Sequence, residues 1–138
     1  MLLGQKRILV VDDDEPSRTL AERILTRGGF DVETAENGFE AVEKATAFEY
    51  DLIILDVMMP RMDGYEVCTR LQQNPVTAGL PVVMLTALDS LNDVAKATQA
   101  GAKWFVTKPF DSKYLLRRIR QILFYQDNPQ SRLSDEAP

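Results

Sequence analysis

Ile8-Leu9-Val10-Val11-Asp12-Asp13-Asp14-Glu15, in which four branched apolar residues run directly into four acids, is the stretch that decides the fold. A short continuous apolar run reads as a strand buried on both faces, the pattern of a parallel sheet covered by helices. The run recurs as Leu52-Ile53-Ile54-Leu55 and Val82-Val83-Met84-Leu85. Asp31-Val32-Glu33-Thr34-Ala35 alternates instead, as a strand nearer an edge does, and Trp104-Phe105-Val106-Thr107 supplies a fifth.

Helix-length segments separate these runs. The first starts near Pro16, carries Leu20, Ile24 and Leu25 on one expected stripe and stops at Gly28-Gly29. The second follows Asn37, a good N-cap, and turns Ala41, Val42 and Ala45 inward. The third spans about Gly64 to Gln73 with Val67 and Leu71 inward, ending before Pro75. The fourth, about Leu91 to Ala100, offers mostly alanine and Val94, so thin packing is expected. The last, about Asp111 to Tyr125, has Leu115, Ile119, Ile122 and Leu123 on one stripe and Lys113, Arg117 and Arg120 on the other. Five strand–helix repeats with right-handed crossovers give one α/β domain, a doubly wound sheet with helices on both faces. We place that domain at residues 1–125 and read the polar stretch 126–138 as a flexible tail or linker stub.

Composition narrows the chemistry. At 138 residues the chain is the size of one domain with a self-sufficient core. With no histidine and the single cysteine Cys68, it has no serine–histidine catalysis, no histidine metal site and no internal disulfide. The net charge of −5 argues against direct binding of nucleic acid. No apolar run approaches the roughly 20 residues of a membrane span, and Met1-Leu2-Leu3 is too short for a signal peptide, so a cytoplasmic chain is expected. The charge is uneven: residues 1–69 hold 7 basic and 15 acidic side chains, residues 70–138 hold 9 and 6. That asymmetry fits solvated helix faces, or an acidic site in the first half that recruits a cation.

Ligands of an open parallel sheet bind beyond the C-terminal ends of its strands. There the sequence puts Asp12 to Glu15 after the first strand, Asp56 after the third, Thr86-Ala87 after the fourth and Lys108-Pro109 after the fifth. Crowded carboxylates either hold a proton or gather a cation, and with only oxygen donors on offer that cation is Mg²⁺. A metal, an ammonium and a hydroxyl around one carboxylate can hold phosphoryl oxygens while that carboxylate attacks phosphorus. Each residue also has a plain reading: acids at a helix N-terminus, a strand-end turn former, a β-former, a solvated lysine.

ILVVDDDEPSR, DLIILDVMMPRMDGYEV, PVVMLTAL and GAKWFVTKPF, in order over about residues 6–125, resemble the motifs of response regulator receiver domains, the chemotaxis-regulator-like modules of two-component signalling. The resemblance implies a flavodoxin-like five-stranded parallel sheet in the order 2-1-3-4-5. It implies Asp56 as phosphoacceptor, and Mg²⁺ held by Asp13, by Asp12 through water, by Asp56 and by the backbone carbonyl of Met58. Thr86, with Ala87 beside it, becomes the switch hydroxyl's position, Phe105 the switch aromatic and Lys108 the phosphoryl partner, with a cis Lys108–Pro109 peptide. The implied donor is a sensor histidine kinase or histidine phosphotransfer protein. The implied output is an effector or a homodimer engaged through the fourth-helix to last-helix face, either by this chain alone or through a domain beyond Pro138. The resemblance further implies a signalling phosphoacceptor that assists its own phosphorylation and dephosphorylation and is not an enzyme in the ordinary sense.

Three positions depart from the family's habits. Phe105 lacks the hydroxyl of the commoner tyrosine, and Lys103-Trp104 stands where acids are frequent, so Trp104 either packs on a helix or joins a partner surface. Met58 and Leu88, each two beyond a site residue, are apolar and cannot orient an attacking water, so a long-lived acyl phosphate is expected. Competing readings are a receiver-like interaction module that is never phosphorylated, a haloacid-dehalogenase-like phosphohydrolase, and a flavin-binding relative of the same topology. Pro16 and the missing cap insertion oppose the phosphohydrolase. The acidic DDDEPSR opposes a flavin phosphate loop.

Overall fold

The computed structural model describes residues 5–87 and 91–128, the side chains of 91–94 excepted. Strands β1 (Arg7–Val11), β2 (Asp31–Ala35), β3 (Leu52–Asp56), β4 (Val82–Thr86) and β5 (Trp104–Thr107) alternate with helices α1 (Glu15–Arg27), α2 (Gly38–Ala47), α3 (Gly64–Gln73), α4 (Leu91–Gln99) and α5 (Ser112–Asp127). All neighbouring strands are parallel, in the order β2-β1-β3-β4-β5. The strands read as continuous apolar runs are the interior ones. β3 and β4 are buried along their whole length, whereas edge strand β2 alternates between exposed and covered.

Because successive strand residues face opposite sides, each run feeds two cores. Leu9, Val11, Ile53, Leu55 and Met84 pack with α2, α3 and the buried Ala97 and Ala100. Ile8, Val10, Ile54, Leu85 and Val106 pack on the other side with Ala21, Ile24 and Leu25 of α1 and Leu115, Ile119, Ile122 and Leu123 of α5. Burying a large aliphatic side chain contributes about 1.5–3 kcal/mol, so these layers dominate the stability. Among the described side chains of the α4 segment the buried ones are Ala97 and Ala100, while Val94 and Leu88 lie outside the residues whose side chains are described.

Two expectations need adjustment, and the alternative left open at Trp104 is decided for helix packing. Leu20 is 47% exposed, because the buried stripe of α1 centres on Ala21, Ile24 and Leu25 and Leu20 sits about 90° around the helix from it. Trp104 is buried at 5% exposure and stacks on Tyr125 of α5 at 6.2 Å, so it packs on a helix rather than presenting a partner surface. α5 continues to Asp127, past the expected end at Tyr125.

Local chemistry sets the loops that carry the site. Asp14, Asn37, Asp63 and Asp111 each cap a helix by accepting a hydrogen bond from the backbone N–H three residues on. Gly64 opens α3 directly against the end of β3: a Cβ there would meet the carbonyl oxygen of Asp56 at 2.5 Å and Cα of Val57 at 2.9 Å. Its N–H donates to the carbonyl of Val57 at 2.9 Å and closes the β3–α3 loop. No helix among the described residues is long and apolar enough to cross a membrane.

Candidate functional site

The register of β1 on β3 pairs Val10 with Ile54 and Val11 with Leu55, so Asp12 and Asp56 follow side by side at the C-terminal edge. Carboxylate oxygens of Asp12, Asp13 and Asp56 all lie within 4.8 Å of one another. Asp12 is wholly buried and Asp56 is 5% exposed, while Asp13 faces solvent. From the end of β5, Lys108 brings its Nζ to 3.4 Å from Asp12 Oδ2 and 3.5 Å from Asp56 Oδ1. One ammonium therefore pairs with two of the three clustered carboxylates, and the cluster is left with excess negative charge.

Burial and that excess together show in the acidity of Asp56. The Asp56 carboxyl is pushed up from 3.8 to about 6, first by burial and second by repulsion from Asp12, against the opposing pull of Lys108 and the Met58 N–H. Like charges about 4 Å apart repel by about 4 kcal/mol at an effective dielectric near 20, enough to make a divalent cation welcome. The donor set fits a hard cation: carboxylate and backbone oxygens, with no imidazole or thiolate among them. The exposed Asp13 leaves an open side for the waters that Mg²⁺ retains.

The loops around the cluster are tied to each other. Asp12 Oδ1 accepts the N–H of Asp14 at 2.9 Å, and the Met58 N–H reaches Asp56 Oδ1 at 3.4 Å. The side chain of Met58 points outward at 77% exposure. Thr86 is buried at the end of β4, Ala87 beside it is exposed, and the Thr86 carbonyl accepts the N–H of Lys108 at 3.0 Å. The Lys108–Pro109 peptide is cis. Phe105 is half-buried against the α2–α3–α4 side, and its carbonyl accepts from Arg118 Nε of α5 at 3.2 Å.

Asp14 and Glu15 do not join the cluster. Asp14 caps α1 through the Ser17 N–H at 3.0 Å, and hydrogen bonding to Ser17 is chiefly what holds its carboxyl below the usual range; Glu15 is the first helical residue. Sequence reasoning missed Arg18, whose Nη1 donates to the Asp12 carbonyl at 3.0 Å. The signal was available: Arg18 sits one turn after the cap Asp14, where a long side chain reaches back over the β1–α1 loop.

Comparison with known proteins agrees with this architecture. The model of the response regulator receiver domain family matches residues 8–120. The chain is 45% identical over 118 residues to the alkaline phosphatase synthesis transcriptional regulatory protein PhoP of Bacillus subtilis, covering 86% of this chain and 48% of that protein. It is 40% identical over 126 residues to the DNA-binding dual master transcriptional regulator RpaA of Synechocystis, covering 91% and 52%. The chain thus spans about half the length of these relatives. The chemotaxis protein CheY4 of Vibrio cholerae superposes with a TM-score of 0.82 at 32% identity, over 86% of this chain and 99% of that one. The family match across both edges of the site, on a five-stranded parallel sheet of the expected order, establishes that this chain belongs to the response regulator receiver domains.

Proposed function

We propose that the chain is the phosphoacceptor of a two-component phosphorelay, with Asp56 as the acceptor. The observation that carries this reading is the buried Asp56 carboxylate, clustered with Asp12 and Asp13 within 4.8 Å and faced by the Lys108 ammonium at 3.5 Å. An oxygen of Asp56 attacks the phosphorus of a donor phosphohistidine. The P–O bond forms as the P–N bond breaks, and the released imidazole takes its proton from solvent. Asp13, Asp12 through water, Asp56 and the Met58 carbonyl would hold Mg²⁺, which when bound neutralises charge on the phosphoryl oxygens. Lys108 pairs with a phosphoryl oxygen, and the near-complete burial of Asp56 limits access of water to the acyl phosphate.

The new charge then draws on the buried Thr86 hydroxyl and on Lys108, while Phe105 turns toward the space Thr86 vacates. Phosphorylation biases an existing equilibrium of the α4–β5–α5 face. Shifting it from 1:99 to 99:1 takes about 5.5 kcal/mol of differential stabilisation. The small buried side chains Ala97 and Ala100 beneath the α4 segment and the Arg118 bond to the Phe105 carbonyl support that face as the moving part. The partner on the input side is a histidine kinase or histidine phosphotransfer protein in the cytoplasm. On the output side it is an effector or a second copy. Incubating the protein with acetyl phosphate and MgCl₂ tests the assignment. The wild type acquires one acid-stable, base-labile phosphoryl group and Asp56→Asn none. Undiminished labelling of the variant overturns it.

A further inference from the structure

From the rim of the site, resting on the phosphoacceptor reading above, we infer that Phe39, Met58 and Arg61 form the contact surface for the protein that donates the phosphoryl group. The β3–α3 loop, closed by the Gly64–Val57 hydrogen bond, divides its side chains sharply. Met59 and Met62 point inward at 7% and 1% exposure, while Met58 and Arg61 point outward. Met62 lies against Gly38, where a Cβ would meet its Sδ at 2.9 Å, so the loop is locked to the first turn of α2. That lock sets Arg61 beside the neighbour of Gly38: the guanidinium carbon stands 5.8 Å over the ring of Phe39, itself 52% exposed. Arg61 adopts a left-handed backbone (φ 67°), with the Met62 N–H bonded to the Pro60 carbonyl at 2.8 Å. A non-glycine residue in that region is held there by its surroundings.

The occupant follows from where the patch sits. Asp56 is 5% exposed, so a phosphoimidazole carried on another protein has to enter a recess whose lip includes Met58, and the surface bearing it covers that lip. Methionine suits such a face because it repacks against differing partners. Phe39 and Arg61 add an aromatic anchor and a cation fixed before binding, which lowers the ordering cost of association. Arg61 is also the sole basic residue between Lys44 and Arg70, in the half of the chain that is most acidic. A donor matched to it carries an acidic side chain near its phosphohistidine, set in apolar surroundings.

Phe39→Ala and Arg61→Asn test this, the asparagine keeping a residue that tolerates positive φ. Phosphotransfer to wild type and variants is timed from a panel of autophosphorylated histidine-kinase cytoplasmic fragments, with acetyl phosphate in MgCl₂ as a donor that has no protein surface. With the fragment that phosphorylates wild type fastest, each variant is expected to lose tenfold or more in kcat/KM. Labelling by acetyl phosphate should match wild type. Unchanged transfer from the fragment overturns the docking surface and leaves the phosphoacceptor reading intact. A parallel loss with acetyl phosphate also overturns it, since the residues then act on the site itself. A wild type that neither donor labels overturns both readings.

Discussion

Replacing Asp56 with asparagine should stabilise the metal-free protein. In the unfolded chain an aspartate titrates near its ordinary 3.8, whereas in the folded site Asp56 titrates at about 6, burial being the main cause and Asp12 the second. A folded pKa raised above the unfolded value contributes stability that is fully present below 3.8. That contribution is lost as pH rises through about 6. A tenfold change in proton affinity corresponds to about 1.36 kcal/mol, so ionising this one group costs the fold up to about 3 kcal/mol at pH 7. The substitution also takes from Lys108 one of its two carboxylates, leaving Asp12 at 3.4 Å, which trims the expected gain to about 1–3 kcal/mol. For a domain of this length that is a rise of roughly 4–12 °C in Tm. Thermal denaturation in EDTA between pH 4 and 8 measures it. Groups with lowered pKa, such as Glu40, gain as pH rises in both proteins, so the difference curve isolates Asp56. It should open between pH 4 and 6.5 and then stay flat. Curves that run parallel from pH 4 to 7 would refute the claim that crowding at Asp56 is a strain a cation relieves.

Mg²⁺ at about 100 times its Kd should stabilise wild type by about 2.7 kcal/mol, and Asp13→Asn should abolish most of that gain. Equal thermal shifts in the two proteins would remove Asp13 from the ligand set. Gly64→Ala should lower the urea-denaturation stability by about 1–3 kcal/mol, because the added methyl meets the backbone of Asp56 and Val57, which has no free rotation to yield. A midpoint within error of wild type would contradict that contact. The acyl phosphate should persist for minutes, since the apolar Met58 offers no group to orient water, and Met58→Asn should shorten its lifetime. Decay within seconds in wild type would count against this.

The fold was legible because both signals it depends on are local. Four-residue apolar runs mark the interior strands, and cap residues such as Asp63 and Asn37 mark where helices start. The acidic cluster was legible because it needs only strand ends and topology. Less legible were features that depend on a helix's rotation about its own axis. Leu20 reads as inward since it lies about 40° from Ile24, yet the stripe is centred beyond it, toward Leu25. Arg18 was readable only in part: its place one turn after the cap Asp14 puts it over the β1–α1 loop, but its partner is a backbone carbonyl, which residue types alone do not single out. The Phe39–Arg61 pair escapes because it depends on a positive φ at an arginine and on a methionine filling the space above a glycine. Neither has a periodicity to read.

The chemistry ultimately hangs on register. β1 and β3 are joined through a crossover of about forty residues, and nothing covalent aligns them. What aligns them is that both runs are four apolar residues long and both end in aspartate, so that Ile8 pairs with Leu52 and Val11 with Leu55. A slip of one residue would turn each apolar set to the opposite face and leave Asp12 beside Leu55 in a layer without water. The burial that fixes the register therefore opposes every arrangement but the one that crowds the acids. The same sheet that is stabilised along its length by apolar contact carries its electrostatic strain at one end, where Lys108 offsets part of it and a cation can offset the rest. Substitutions within Ile8–Val11 or Leu52–Leu55, remote from any reacting atom, should for that reason alter cation affinity whenever they loosen the pairing.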